Sequence, residues 1–209
     1  MNKKKPLLLG LACLAAAAFA FAFASYARAD VAAEIKRLAL LMEWKPGTVV
    51  ADIGAGDGRY TWAAVEHVGA SGKVFATEID AQKLAALRAE VKKRNLQNVT
   101  VVESAGVDTN LPAGCCDAIF LRRVYHHLIK PAEFDAKLVR SLKPGGRLAI
   151  IEFPPRRGLE PVEGVPSNRG GHGIPQKVVI QELTAAGLQV ENVVNDWPEN
   201  SYCVLFVKK

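Results

Sequence analysis

The 209-residue sequence is short of the residues that staple small scaffolds together. It has four cysteines, Cys13, Cys115, Cys116 and Cys203. Cys13 lies in an N-terminal apolar run, which leaves an odd three with no framework spacing and argues against a disulfide scaffold. Cys115 and Cys116 are adjacent, and neighbours in sequence bridge each other only with strain. Too few further ligands stand near them for a metal site, and none is expected. Internal repeats and low-complexity linkers are absent, which excludes a solenoid. Charge of one sign is scarce as well. The formal net charge is +6, but four of the 27 Lys and Arg residues (Lys3, Lys4, Lys5 and Arg28) fall in the N-terminal segment, leaving 23 against 21 acidic residues. That excess is too small to build a nucleic-acid surface, and no nucleic-acid partner is expected.

Long apolar runs are limited to one. Pro6 to Ala24 carries no charge, follows the positive cluster Lys3-Lys4-Lys5, and precedes the small-x-small triplet Ala27-Arg28-Ala29. This order matches a secretory signal peptide cleaved before Asp30. The run is also near the length that spans a bilayer, so an uncleaved anchor is the alternative. Residues 1–29 are thus expected to be a targeting segment and residues 30–209 the folded domain. On this reading the domain is exported, periplasmic or held near a membrane. Half the sequence is apolar, enough for one sizeable core.

Within that domain, apolar runs alternate with amphipathic segments. Strands are expected at Thr48–Ile53, Lys73–Glu78, Val99–Glu103, Ala118–Arg122 and Arg147–Phe153, with a terminal pair at Leu188–Val194 and Tyr202–Lys208 around Asp196-Trp197-Pro198. Helices are expected at Val31–Met42, Tyr60–Val68, Ala81–Arg94, Pro131–Leu142 and Gln176–Ala186, with Asp80 as an N-cap and Asn95 as a left-handed stop. Lys143-Pro144-Gly145-Gly146 reads as a turn. Pro154 to Pro175 is rich in Pro and Gly and reads as a long loop of functional interest.

The densest stretch is Asp52-Ile53-Gly54-Ala55-Gly56-Asp57-Gly58. A strand, three glycines at alternate positions and a helix start in succession offer backbone N–H groups to a ligand. Roughly 20 residues further on, Glu78 ends the next strand, placed to accept both hydroxyls of a ribose. Together with Leu111-Pro112, Asp117–Phe120 and Leu142–Leu148, these residues resemble the class I S-adenosylmethionine-dependent methyltransferases. The resemblance implies a Rossmann-like α/β domain, doubly wound, with a seven-stranded sheet that is mostly parallel and has an antiparallel last strand. It implies S-adenosyl-L-methionine as cofactor, bound by Asp52, Gly54, Ala55, Gly56, Gly58, Glu78, Ile79, Ala105, Asp108 and Arg122. The chain departs from the commoner pattern after the third strand, where many relatives place an acid for the adenine. Here only Asp108, or backbone near Ala105, is at hand.

The expected activity is methyl transfer to a small-molecule or lipid acceptor, with the oligomeric state left open. Tyr125-His126-His127 follows the fourth strand, where ligands of open parallel sheets bind. His126, His127 and, in the long loop, His172 are the candidate general bases, because an imidazole titrates near working pH. Three other readings compete: a non-catalytic methyltransferase-fold domain that binds a nucleoside or protein, an isoaspartate methyltransferase, and a nicotinamide-dependent reductase. The glycine spacing speaks against the last.

Overall fold

The computed structural model describes residues 30–156 and 158–209. The expected targeting segment, residues 1–29, lies outside the described residues. Helix α1 covers 30–41 and is followed by β1 (Val49–Ile53), α2 (Arg59–Val68), β2 (Lys73–Glu78), α3 (Ala81–Lys93) and β3 (Val99–Glu103). Then come β4 (Cys116–Arg122), α4 (Pro131–Ser141), β5 (Leu142–Glu152), α5 (Gln176–Ala185), β6 (Gln189–Trp197) and β7 (Ser201–Val207).

These strands form one seven-stranded sheet in the order β3-β2-β1-β4-β5-β7-β6. The pairings from β3 through β5 are parallel, and β7 runs antiparallel to both β5 and β6. The α/β architecture expected from the sequence is the one observed. Its central strands read as continuous apolar runs because both faces are covered. Alternate residues serve opposite cores. Ile119, Leu121, Leu148 and Ile150 face Phe134 and Leu138 of α4 and Val179 and Leu183 of α5. Phe120, Ala149 and Ile151 face Ile35 and Leu38 of α1 and Ala64 and Val68 of α2.

Local signals set the element ends. Asp80 accepts the N–H of Lys83 at 2.9 Å, an N-cap that starts α3. Asn95 stops it with φ +54. Two boundaries differ from the sequence reading. The turn at residues 143–146 is absorbed into β5 as an irregularity in its pairing with β4. Its backbone is occupied by the carboxyl end of the chain: Gly145 N–H donates to the Lys208 carbonyl at 2.7 Å, and Lys208 N–H to that of Gly146 at 2.9 Å. The turn between β6 and β7 sits at Pro198-Glu199-Asn200, later than Asp196-Trp197-Pro198. Glu199 and Asn200 take φ of +58 and +56, the left-handed pair of a two-residue hairpin. Trp197 stays in the strand because its ring is buried and its indole N–H donates to Glu34.

The loop from 153 to 175 is far more ordered than its composition implies. It contains a short 3-10 turn at Ser167–Arg169. Arg169 is only 1 % exposed. Its guanidinium donates to both carboxylate oxygens of Glu182 in α5 (2.9 and 3.0 Å) and to the carbonyls of Leu128 (2.8 Å) and Tyr125 (3.1 Å). A buried guanidinium is tolerable only when its charge and donors are met, as here. Among the described residues Cys116 and Cys203 are buried and Cys115 half-buried, all three as free thiols.

Candidate active site

The sheet order reverses between β1 and β4, and the crevice beyond the carboxyl ends of the strands opens there. A cavity of about 330 Å³ occupies it. Its walls come from the loop after β1 (Gly54, Gly56), the end of β2 (Glu78, Ile79), the loop after β3 (Ser104, Ala105) and the segment after β4 (Arg123, Val124, His127).

The glycine loop is shaped for this place. Gly54 has φ +72, and a Cβ there would come within 2.5 Å of Val124 Cγ2, so the chain passes directly beneath that side chain. Gly56 has φ +59, but a Cβ there would meet nothing nearer than 3.9 Å. Its lack of a side chain therefore preserves open space rather than packing, which suits a group that approaches the backbone closely. The loop is pinned from β2: Ala55 N–H donates to the Thr77 carbonyl at 2.8 Å and Gly56 N–H to Glu78 Oε2 at 2.9 Å.

Glu78 is buried, yet its carboxylate lines the cavity. Its other oxygen accepts the N–H groups of Ile79 (2.9 Å) and Asp80 (3.1 Å). Three backbone donors thus fix it in one orientation. A carboxylate has about four acceptor positions, so one stays free for a ligand hydroxyl, and a second opens if the Gly56 N–H turns to the ligand. The cavity and this oriented acid fit the nucleoside part of the expected cofactor.

Other expected contacts fall differently. Asp52 is only 3 % exposed and lies behind the loop, where Oδ2 accepts the hydroxyl of Thr61 at 2.6 Å. Burial pushes its carboxyl up to about 7. Ala55 and Gly58 also pack behind the wall, Ala55 beside Ala76 and Leu87, and Gly58 against Trp62. Asp108 is turned away from the cavity. It accepts the Asn110 N–H at 2.9 Å and pairs with Lys137 at 3.1 Å, so the charge of α4 claims it; Ser104, Ala105 and Gly106 supply backbone at the wall instead. Arg122 lines the cavity, but its guanidinium is bound in a fork to Glu34 of α1 at 3.0 and 2.9 Å. Glu34 also accepts Tyr60 Oη at 3.0 Å and Trp197 Nε1 at 2.9 Å. Although burial alone would push that carboxyl up, these donors hold it below the usual carboxylate range.

The three candidate bases converge from two distant stretches. The His126 and His127 rings lie 4.0 Å apart, and His172 lies 5.4 Å from His126 and 6.4 Å from His127, centroid to centroid. Their environments separate their roles. His126 is 3 % exposed, and its Nδ1 lies 3.0 and 2.9 Å from the two oxygens of Glu152, which is itself fully buried. Nδ1 therefore carries the proton and donates it. Glu152, at the end of β5, lies under His126, whose backbone N–H it also accepts at 3.1 Å. His172 Nδ1 donates to the Glu160 carbonyl at 3.3 Å. His127 is the imidazole that lines the cavity. Partial burial, reinforced by the neighbouring His126, lowers its pKa, so it is unprotonated at neutral pH. No group of His, Cys, Asp or Glu among the described residues is arranged to hold a metal.

The site therefore joins a glycine loop, an oriented carboxylate and a neutral imidazole around one cavity. Comparison with known proteins agrees with that chemistry. Residues 51–150 match the family model of the methyltransferase domain. The nocamycin O-methyltransferase of Saccharothrix syringae is 30 % identical over 115 residues, 55 % of this chain and 41 % of that protein. The demethylmenaquinone methyltransferase of Anoxybacillus flavithermus is 29 % identical over 111 residues, 53 % of this chain and 47 % of that one. The chain thus matches less than half the length of either curated relative. The crystal structure of a SAM-dependent methyltransferase from Aquifex aeolicus superimposes with a TM-score of 0.70 at 29 % identity, over 84 % of this chain and 90 % of that one. Its sheet order, its glycine loop and these matches together support a class I S-adenosylmethionine-dependent methyltransferase.

Proposed function

We propose that the protein transfers a methyl group from S-adenosylmethionine to a small-molecule acceptor. The observation that carries the reading is the shared cavity: Glu78, fixed by three backbone donors, stands on one wall and His127 on another. The bound cofactor supplies a methyl group already activated by its sulfonium. The protein's task is then mainly alignment. Glu78 would accept hydrogen bonds from the ribose hydroxyls, and the open space at Gly56 would let the ligand reach the loop N–H groups. Val124, Leu128 and Phe134 give the cavity an apolar side that excludes water. His127, neutral at working pH, takes the proton of an acceptor hydroxyl. Those relatives are named for nocamycin O-methylation and for methylation of demethylmenaquinone, which supports a small organic acceptor here.

The test is calorimetric titration of S-adenosylmethionine and S-adenosylhomocysteine into the purified full-length protein. Micromolar binding is expected. Glu78→Ala should weaken it by roughly one to two orders of magnitude, the scale of lost hydrogen bonds to a charged group. Gly56→Arg should abolish it by filling the cavity. Binding by either variant as tight as the parent's would defeat the site assignment. The displaced Asp108 supports a second reading, a domain that keeps the fold without the cofactor; a folded parent that binds neither sulfur nucleoside would favour it.

We also propose that residues 1–29 direct the domain out of the cytoplasm, by a cleaved signal or a retained anchor. Cell fractionation with N-terminal sequencing checks this: an exported protein starting at Asp30 is expected for cleavage, and a cytoplasmic protein starting at Met1 would refute it.

A further inference from the structure

Methyl transfer, as proposed above, leaves the acceptor unnamed, and the wall beside His127 carries chemistry which that reading does not use. Three guanidiniums gather at the carboxyl edge of the sheet, those of Arg122, Arg123 and Arg156. Arg122 is held by Glu34, whose carboxylate already accepts four hydrogen bonds. Arg123 and Arg156 both lie against Phe153, with guanidinium carbons 5.4 and 4.6 Å from its ring centroid. Both also donate to the Glu199 carbonyl at 3.4 Å. The Glu199 carboxylate pairs with Arg123 at 2.6 Å and with Arg122 at 3.2 Å.

The charges do not balance at this edge. Glu34 and Glu199 face three guanidiniums, and Glu152, behind His126, is engaged by that imidazole. Among the described residues Arg156 has no carboxylate partner, and Arg123 Nε is buried with no acceptor at all. Arg123 also takes φ +57, a left-handed conformation that side chains other than glycine rarely adopt and that tends to persist where function requires it. Glu199, the one shared anion, is more than half exposed and sits at the tip of the β6–β7 hairpin. It is held there by these contacts rather than by burial.

We propose that Arg123 and Arg156 form an anion subsite for the acceptor, and that the acceptor is an aromatic carboxylate bearing a hydroxyl. The carboxylate of Glu199 stands in the free protein where the acceptor's carboxylate binds. The guanidinium fork matches a carboxylate in shape as well as charge. The imidazole face of His172 beside it offers a stacking surface for an aromatic ring. His127 as base requires a nucleophile that carries a proton, hence the hydroxyl. The hydroxyl proton goes to His127 as the oxygen's electron pair forms the bond to the methyl carbon, and the pair of the broken carbon–sulfur bond stays on sulfur.

The test uses the full-length protein saturated with S-adenosylhomocysteine, whose own binding is measured first. The probes are 4-hydroxybenzoate and its neutral isostere 4-hydroxybenzamide, titrated by calorimetry. The acid is expected to bind at least tenfold tighter than the amide. Arg156→Gln, an exposed change with little risk to folding, should erase that preference. Glu199→Gln should tighten the acid severalfold and leave the amide unchanged. Neither substitution should alter S-adenosylhomocysteine binding. If S-adenosylhomocysteine binds but the acid shows no preference over the amide, or Arg156→Gln leaves that preference intact, the anion subsite is refuted and the methyl-transfer reading stands. If the parent binds no S-adenosylhomocysteine, the methyl-transfer reading fails and this proposal with it.

Discussion

His127 and His126 are neighbours in the chain with opposite fates, and the difference lies in what each ring nitrogen touches. His126 is committed to Glu152 through Nδ1, a buried contact that fixes its tautomer. His127 faces the cavity with no carboxylate of its own, and burial favours its neutral form. The His127 C2–H resonance should therefore titrate with a midpoint below 6.5, the ordinary imidazole value. His127→Gln identifies the signal, and a midpoint above 6.5 would remove its claim to act as base at neutral pH. Asp135 gives a second residue-scale expectation. It is 1 % exposed, and burial pushes its carboxyl up to about 7 while Tyr125 donates to it at 2.8 Å. A carboxyl that holds its proton longer when folded costs stability as pH rises from about 4 to about 7. Asp135→Asn keeps an acceptor for Tyr125 but has no proton to lose. Thermal midpoints of parent and variant should thus diverge, the parent falling behind between pH 4 and pH 7; parallel profiles would contradict the burial argument. None of this was legible in the sequence. Tyr125-His126-His127 was readable as a site because of its place after a strand, but which imidazole is free depends on Glu152, 26 residues away.

Among the elements, α1 shows how a packing helix comes to border a site. Its apolar stripe, Ile35, Leu38 and Met42, was readable from spacing and packs as expected. Glu34 was not readable as special, because an acid beside an apolar stripe usually faces water. Here it ties α1 to β4 through Arg122, to α2 through Tyr60 and to β6 through Trp197. Removing one partner of a buried ion pair costs about 3–5 kcal/mol, because the other charge is left uncompensated. Glu34→Ala should approach that range in denaturant unfolding and should weaken S-adenosylhomocysteine binding as well, since Arg122 shares the cavity wall. A loss below about 0.5 kcal/mol would show that the pair is no better than a surface contact. The glycine loop lies at the other extreme. Its role was plain from Gly54, Gly56, Gly58 and Glu78 together, because a tight turn and an oriented acid have few other uses at that spacing. The 153–175 loop was legible only as a loop. Its order comes from Arg169, and nothing in a Pro- and Gly-rich run reveals that one guanidinium will be buried against Glu182.

At the scale of the molecule, the seven-stranded α/β sheet followed from alternating apolar runs and amphipathic segments, since strands buried on both faces leave that pattern. What it could not convey was the third dimension of the carboxyl edge, where His127, His172, Phe153 and the arginines meet. The antiparallel β7 has a consequence for handling the protein. Every parallel strand ends at the edge of the sheet that carries the cavity, but β7 starts at that edge and runs away from it, so residue 208 lies against Gly145 and Gly146 at the opposite edge. The Lys208 ammonium is moored there on the carbonyls of Val139 and Leu142 at 2.6 and 2.7 Å. A tether joined after residue 209 therefore leaves from the far side of the sheet. Molecules immobilised by such a tether would all present their pockets outward to the flowing solution.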